Sequence, residues 1–299
     1  MNFMFKSFHK GSKITLFFLF LTASLLSLKA QDAEKAQDDN IENLVILHMN
    51  DTHSRIDPMP QSDSKNPNKG GIIRQNTYVE KVREENKNVL LFHCGDFVQG
   101  TPYFNVFKGQ AEISLMNYMN FDAVCLGNHE FDYGLNVLAD IIRESKFPFI
   151  ATNFDFSGTP LEGLTRPFHI IYKGDIRIGI IGLTIDPNEL VAKKNYEGAK
   201  WLDPIASANK VADYLRNIEN CDLIICLSHL GIYFSGDEIG DLTLAEQTRN
   251  IDIILGGHTH TFLRFPEKRK NLEGKEVVVN QMGANGIYVG RLDVSLEEM

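Results

Sequence analysis

The chain has 299 residues, an ordinary globular composition and a formal net charge of −9, enough for one large domain or two small ones with a sizeable core. The first 30 residues hold four lysines (Lys6, Lys10, Lys13, Lys29) and no acid, which leaves 26 basic against 39 acidic residues, a balance of −13. That balance excludes a nucleic-acid backbone as the main partner; a small phosphorylated substrate stays open, because bound divalent cations reverse the local sign.

Lys6, Lys10 and Lys13 precede an apolar run from Ile14 to Leu28, after which Lys29-Ala30-Gln31-Asp32 opens a polar stretch. This is the layout of a secretory signal peptide over residues 1–30, with Ala30 before the cut. A membrane anchor is the competing reading. The run, of about 15 residues, contains Thr22, Ser24 and Ser27 and falls short of the roughly 20 that a span needs. No Cys lies there for lipid attachment, and no other stretch could cross a bilayer. The expected mature protein is soluble and exported, periplasmic or secreted. Cys94, Cys125, Cys221 and Cys226 are too few for a disulfide scaffold and lack zinc-motif spacing, so buried free thiols are expected.

Residues 31–42 are polar and acidic and read as a disordered leader; residues 43–299 read as one domain. Leu44–Leu47 is a continuous apolar run, the mark of a buried strand, and ends in His48-Met49-Asn50-Asp51-Thr52-His53. Residues 57–71 form a Pro-, Asn- and Gly-rich loop. Gly71 to Asn86 predicts an amphipathic helix. Val89–Phe92 is a second strand, ending in His93-Cys94-Gly95-Asp96. A helix from about Gln110 to Asn120 leads to a strand at Ala123–Leu126, which ends in Gly127-Asn128-His129-Glu130-Phe131-Asp132. A helix at Gly134–Ser145 and a strand at Phe149–Thr152 follow. Phe168–Tyr172 and Ile176–Leu183 predict a hairpin. Asp203-Pro204 opens a helix to Glu219. Asp222–Leu227 runs into Ser228-His229, and Ile251–Leu255 into Gly256-Gly257-His258-Thr259-His260. Val277–Asn280 and Ile287–Val294 close the chain. Strands alternating with helices predict an α/β fold.

Five apolar strands therefore end in polar groups: Asp51-x-His53, Asp96, Asn128-His129, His229 and His258-x-His260. Strand carboxyl ends share one edge of such a sheet, so these groups can converge. Singly, Asp96 reads as a helix cap, His229 as a satisfied buried histidine, and His258 and His260 as turn residues. Five together point to a site. Two carboxylates, an Asn and several His mix hard and borderline ligands, which suits two divalent ions (Zn, Mn, Fe or Co) better than Ca or Mg. Strand alternation would put Asp51 and His53, and likewise His258 and His260, on one side of an extended segment. Asp96 between two ions would hold them about 3.5–4 Å apart. Asp132 can reach the His129 ring and orient it.

These motifs, in this order, resemble the calcineurin-like metallophosphoesterase superfamily. Asn50-Asp51-Thr52-His53, Gly70-Gly71 before a helix, Gly95-Asp96-x-x-Gln99-Gly100-Thr101, Gly127-Asn128-His129-Glu130-Phe131-Asp132 and Ser228-His229-Leu230-Gly231 narrow the resemblance to the catalytic domain of the secreted 5'-nucleotidase family, from residue 43 to about 295. The resemblance implies a four-layer α/β/β/α sandwich. It implies Asp51, His53, Asp96 and His260 around one metal, and Asp96, Asn128, His229 and His258 around the other. It implies His129 and Asp132 as the catalytic pair, with His129 protonating the leaving alkoxide.

The activity expected is hydrolysis of a nucleoside 5'-monophosphate. The alternatives are a cyclic-nucleotide or nucleotide-sugar phosphodiesterase, or a thiosulfate-ester hydrolase. Family members continue into a second domain that carries nucleobase-stacking aromatics and phosphate-binding arginines, whereas this sequence stops at Met299. A separate polypeptide supplying that half, a one-domain phosphatase of different specificity and a piece of a longer chain are all compatible with it. A metal-stabilised module without catalysis is the remaining class, and the His129–Asp132 pair speaks against it.

Overall fold

The computed structural model describes residues 43–233 and 239–295. The expected signal peptide and acidic leader lie outside the described residues. In chain order the elements are β1 (Asn43–Met49), α1 (Ile72–Glu85), β2 (Val89–Cys94), α2 (Pro102–Phe107), α3 (Gln110–Met119), β3 (Ala123–Cys125), α4 (Gly134–Glu144), β4 (Phe149–Ile150), β5 (Phe154–Asp155), β6 (His169–Lys173) and β7 (Ile176–Thr184). They continue as β8 (Lys200–Trp201), α5 (Pro204–Asn217), β9 (Leu223–His229), α6 (Asp241–Gln247), β10 (Ile253–Leu255), β11 (Glu267–Lys270), β12 (Glu276–Asn280) and β13 (Gly290–Ser295).

The strands form two main sheets. One has the order β13-β1-β2-β3-β4, the other β11-β12-β10-β9-β7-β6. Within the first, β1 to β4 are parallel and β13 closes antiparallel on β1. Within the second, β12, β10, β9 and β7 are parallel, flanked by antiparallel edge strands β11 and β6. Alternate residues of each strand face opposite ways, and both ways are dry. Leu44, Ile46, Leu90 and Phe92 meet Ile178, Ile180, Ile225 and Leu255 in a core between the sheets. Val45, Leu47 and Leu91 pack outward with Val79, Ile113, Leu135 and Leu138 of the helices. Ile181, Leu183 and Ile254 pack on the far side with Ala208, Ala212 and Leu215. Three apolar layers between four structural ones make an α/β/β/α sandwich, and they explain why the strands read as unbroken apolar runs.

Two differences from the sequence expectation have local causes. β4 is two residues long because Ala151 and Thr152 leave the sheet: the Ala151 amide donates to Arg166 O at 2.8 Å and the Thr152 amide to Gly182 O at 2.7 Å, on the facing sheet. The edge strand β11, Glu267-Lys268-Arg269-Lys270, has no apolar pattern and is imposed by its hairpin with β12. The short elements α2, α6, β5 and β8 likewise had no periodic signal. The helix α5 follows its caps: Asp203 Oδ1 accepts from the Ala206 amide at 2.7 Å and Pro204 starts the first turn.

Candidate metal centre and acid–base pair

The segments after β1, β2, β3, β9 and β10 bring their polar residues to one edge shared by both sheets. Ligand atoms of Asp51, His53 and His260 lie within 4.8 Å of one another, as do those of Asp96, His229 and His258. His53, Asp96 and His129 form a third such group, so the clusters are contiguous. Asn128 Oδ1 lies 3.0 Å from His258 Nδ1. Every residue singled out in the sequence reaches this edge.

The local backbone departs from the extended form expected for the Asp-x-His and His-x-His pairs. Asp51, His53, Asp96, His258 and His260 all have positive φ, at 49°, 48°, 55°, 71° and 54°. They sit in tight turns, not on strand continuations. Left-handed backbone at non-glycine residues is costly and clusters where function demands it. The two loops bearing Asp96 and Asn128 touch so closely that a Cβ on Gly127 would lie 2.2 Å from Asp96 Oδ1.

Asp51 and Asp96 are buried carboxylates. Among the described residues their ion-pair partners are histidines alone: His260 Nε2 at 3.3 Å and His53 and His229 Nε2 at 3.9 Å from Asp51 Oδ1, and His229 Nε2 at 3.0 Å from Asp96 Oδ2. Buried carboxylates without Lys or Arg call for another cation. His229 donates from Nδ1 to Cys94 O at 2.7 Å, and its Nε2 is buried without a hydrogen bond of good geometry. A histidine held by Nδ1 with Nε2 aimed at two carboxylates is the posture of a metal ligand. Burial opposes its protonation, yet Asp96 and Asp51 outweigh burial and raise its pKa. The pocket thus draws positive charge to the place a divalent ion would take, and the residues present fit such ions.

His129 and Asp132 stand beside this cluster. His129 Nδ1 lies 2.9 Å from Asp132 Oδ2, and the His129 amide donates to Asp96 Oδ1 at 2.9 Å. Burial lowers the His129 pKa, but the Asp132 hydrogen bond and the charge of Asp96 lift it above the ordinary value. His258 is pushed down to about 4 by burial and by the charge of His229.

Several supporting residues escaped the sequence argument. Glu130 is buried and accepts from the amides of Gly127 at 2.5 Å, Asp96 at 2.9 Å and Phe97 at 3.0 Å. It ties the loop after β3 to the loop after β2. Asn50 Nδ2 donates to Asp51 Oδ2 at 2.6 Å, and the His258 amide to the same oxygen at 2.9 Å. Ser228 Oγ donates to buried Asp241 at 2.5 Å. Asn195 Nδ2 donates to Asp132 O at 2.7 Å. Asn50, Glu130 and Ser228 lie inside motifs quoted from the sequence, though without a role there, whereas Asn195 and Asp241 had no signal.

A layered fold with an edge of Asp and His is the arrangement of the calcineurin-like phosphoesterases. The chain belongs to the calcineurin-like phosphoesterase family, which it matches over residues 44–262. It is 32% identical over 275 residues to a snake venom 5'-nucleotidase of Naja atra, covering 85% of this chain and 50% of that protein. The crystal structure of a 5'-nucleotidase precursor from Thermus thermophilus superposes with a TM-score of 0.77 at 35% identity, over 85% of this chain and 51% of that one. The calcineurin-like phosphoesterase YfkN from Bacillus subtilis superposes with a TM-score of 0.70 at 30% identity, over 84% of each chain. The chain spans about half the length of the curated relatives it matches. Among the described residues no helix is long and apolar enough to cross a membrane.

Proposed function

We propose that this chain acts outside the cytoplasm on phosphate monoesters, nucleoside 5'-monophosphates foremost, with two divalent ions at the shared sheet edge. The observation that carries the reading is the junction of two buried carboxylates, whose ion-pair partners among the described residues are histidines alone, and the His129–Asp132 pair beside them. Asp51, His53, Asp96 and His260 would hold one ion, and Asp96, Asn128, His229 and His258 the other. The donor set favours Zn, Mn, Co or Fe. When bound, such ions supply Lewis acidity toward a phosphoryl oxygen and toward water.

The rest is done by the chain itself. Asp132 accepts the Nδ1 proton of His129 and fixes the ring, so that Nε2 is free to face the substrate. From Nε2 a proton passes to the leaving alkoxide oxygen, which makes the nucleoside a better leaving group. Glu130 keeps the Asp96 and Asn128 loops in register. The relatives named for 5'-nucleotidase activity support the substrate class, and the N-terminal pattern supports export. A further domain, in this polypeptide or another, would complete the specificity in the manner the sequence resemblance implies.

The test is phosphate release from AMP and from an aryl phosphate by protein starting at Gln31, with and without Mn or Zn. Metal-dependent release, faster with AMP, is expected. Release from neither ester with either metal would overturn the reading and favour a non-catalytic module.

A further inference from the structure

The turn that carries Asp51 and His53 borders a cavity of about 20 Å³, whose lining includes Thr52, Ser54, Arg55 and Glu112, with apolar groups making up most of the rest. That is room for about one water molecule. Glu112 stands in the first turn of α3 and is 4% exposed. Neither of its carboxyl oxygens has a hydrogen-bond partner, and the same holds for the buried Nε of Arg55 and the buried Oγ of Ser54. A buried carboxylate and a buried guanidinium are each costly alone, and opposite charges on one small cavity offset that cost. Arg55 also closes the turn, because its amide donates to Thr52 O at 2.9 Å. Asp51, His53 and Ser54 all have left-handed backbone, with φ of 49°, 48° and 51°, a conformation that persists only where its surroundings hold it.

We propose, resting on the metal reading above, that Glu112 is a positioning residue for the metal centre: it pairs with Arg55 through one water in this cavity and so holds the turn that aims Asp51 and His53. The donors and acceptors match. Arg55 Nε–H donates to the water, and the water donates to a Glu112 oxygen and to Ser54 Oγ. All three polar groups are then satisfied, and α3 is fastened to the turn by charge as well as by packing. The strut bears on one ion alone, because Asp51 and His53 belong to that ion's ligand set, while Asp96, Asn128, His229 and His258 do not line the cavity.

Mn is titrated by calorimetry into protein stripped with chelator and dialysed. His260→Ala removes a ligand of one ion and so identifies that ion's binding step. Glu112→Gln keeps the shape of the side chain and removes its charge. It is expected to weaken the same step by about tenfold and to leave the other unchanged. Both steps weakened alike, or neither, overturns the proposal, because a merely structural loss does not choose between the ions. Urea unfolding in chelator then compares Glu112→Gln, Arg55→Gln and the double variant. Each single change leaves one charged partner buried and alone, so the double variant should lose less stability than the two single losses added together. Strictly additive losses overturn the pairing. If the parent protein binds no Mn, the metal reading fails and the positioning role falls with it, and the unfolding cycle still decides whether Glu112 and Arg55 act as a pair.

Discussion

The Nε2 atoms of His53 and His260 face each other at 2.9 Å, and both lie within 4 Å of Asp51 Oδ1. Two imidazole lone pairs pointed at each other repel unless a proton or a cation stands between them. The buried Nδ1 of His53 has no hydrogen-bond partner, so the ring gains little from its other side. A divalent ion held by both Nε2 atoms relieves the repulsion.

Metal removal is therefore expected to destabilise the fold as well as stop turnover. A ligand at about a thousand times its Kd contributes about 4 kcal/mol, which for a domain of this size corresponds to a Tm shift of about 10 °C. Thermal unfolding with and without a strong chelator, followed by metal repletion, measures it. A Tm indifferent to chelation would count against a metal at this edge.

Glu130 provides the second prediction. Its carboxylate faces four backbone N–H donors, those of Asp96, Phe97, Val98 and Gly127, and burial with the nearby Asp96 charge lifts its pKa to about 7. In Glu130→Gln an N–H₂ group replaces one acceptor oxygen and is set against amide donors. The Asp96 loop should shift relative to Asn128, with metal affinity reduced about 10- to 100-fold. Metal titration monitored by calorimetry reads this directly. Unchanged affinity would mean that the two loops hold their register without the carboxylate.

The strands and the polar residues that converge at the shared edge were legible in the sequence for one physical reason. Both faces of each sheet are buried, so strands become unbroken apolar runs, and the polar residues of the turn that follows each run come to the shared edge. Glu130 was not legible as a tether, because its role exists only when the loop after β3 lies on the loop after β2. Asp51 and His53 were placed correctly by a wrong local picture: extended alternation was assumed, whereas two left-handed residues make a turn that aims both inward.

His129 meets the Asp and His cluster in three ways: its backbone amide donates to Asp96, its ring lies edge-on to that of His53, and a ring nitrogen falls within 4.8 Å of ligand atoms of His53 and Asp96. A variant therefore decides whether it serves as acid or as ligand. His129→Ala should lower kcat by about 10²- to 10⁴-fold with metal content retained. Asp132→Asn keeps a side chain of similar size and loses the carboxylate that fixes the ring, so a smaller loss is expected. Elemental analysis beside kinetics distinguishes the outcomes. Loss of metal in His129→Ala would make this residue a ligand and not an acid.

His48 carries the pH prediction, away from the chemistry. It is fully buried on β1, with Nε2 accepting from Asn280 Nδ2 at 3.2 Å on the facing sheet and Nδ1 without a partner. Burial pushes its pKa down to about 3. An unfolded histidine titrates near 6.5, so below that pH the unfolded chain binds a proton that the folded chain refuses. The stability contributed by neutral His48 is complete above about pH 6.5 and is lost as pH falls toward 3, at about 1.4 kcal/mol per pH unit. His93, also buried and likewise pushed down to about 3, adds a similar term. Urea unfolding in chelator at pH 7.5 and pH 5 removes the metal from the comparison. His48→Gln retains a polar group for Asn280 and cannot titrate, so its loss of stability between the two pH values should be smaller than the parent's by about 2 kcal/mol. Equal losses in the two proteins would show that the buried imidazole does not set the acid sensitivity of the sandwich.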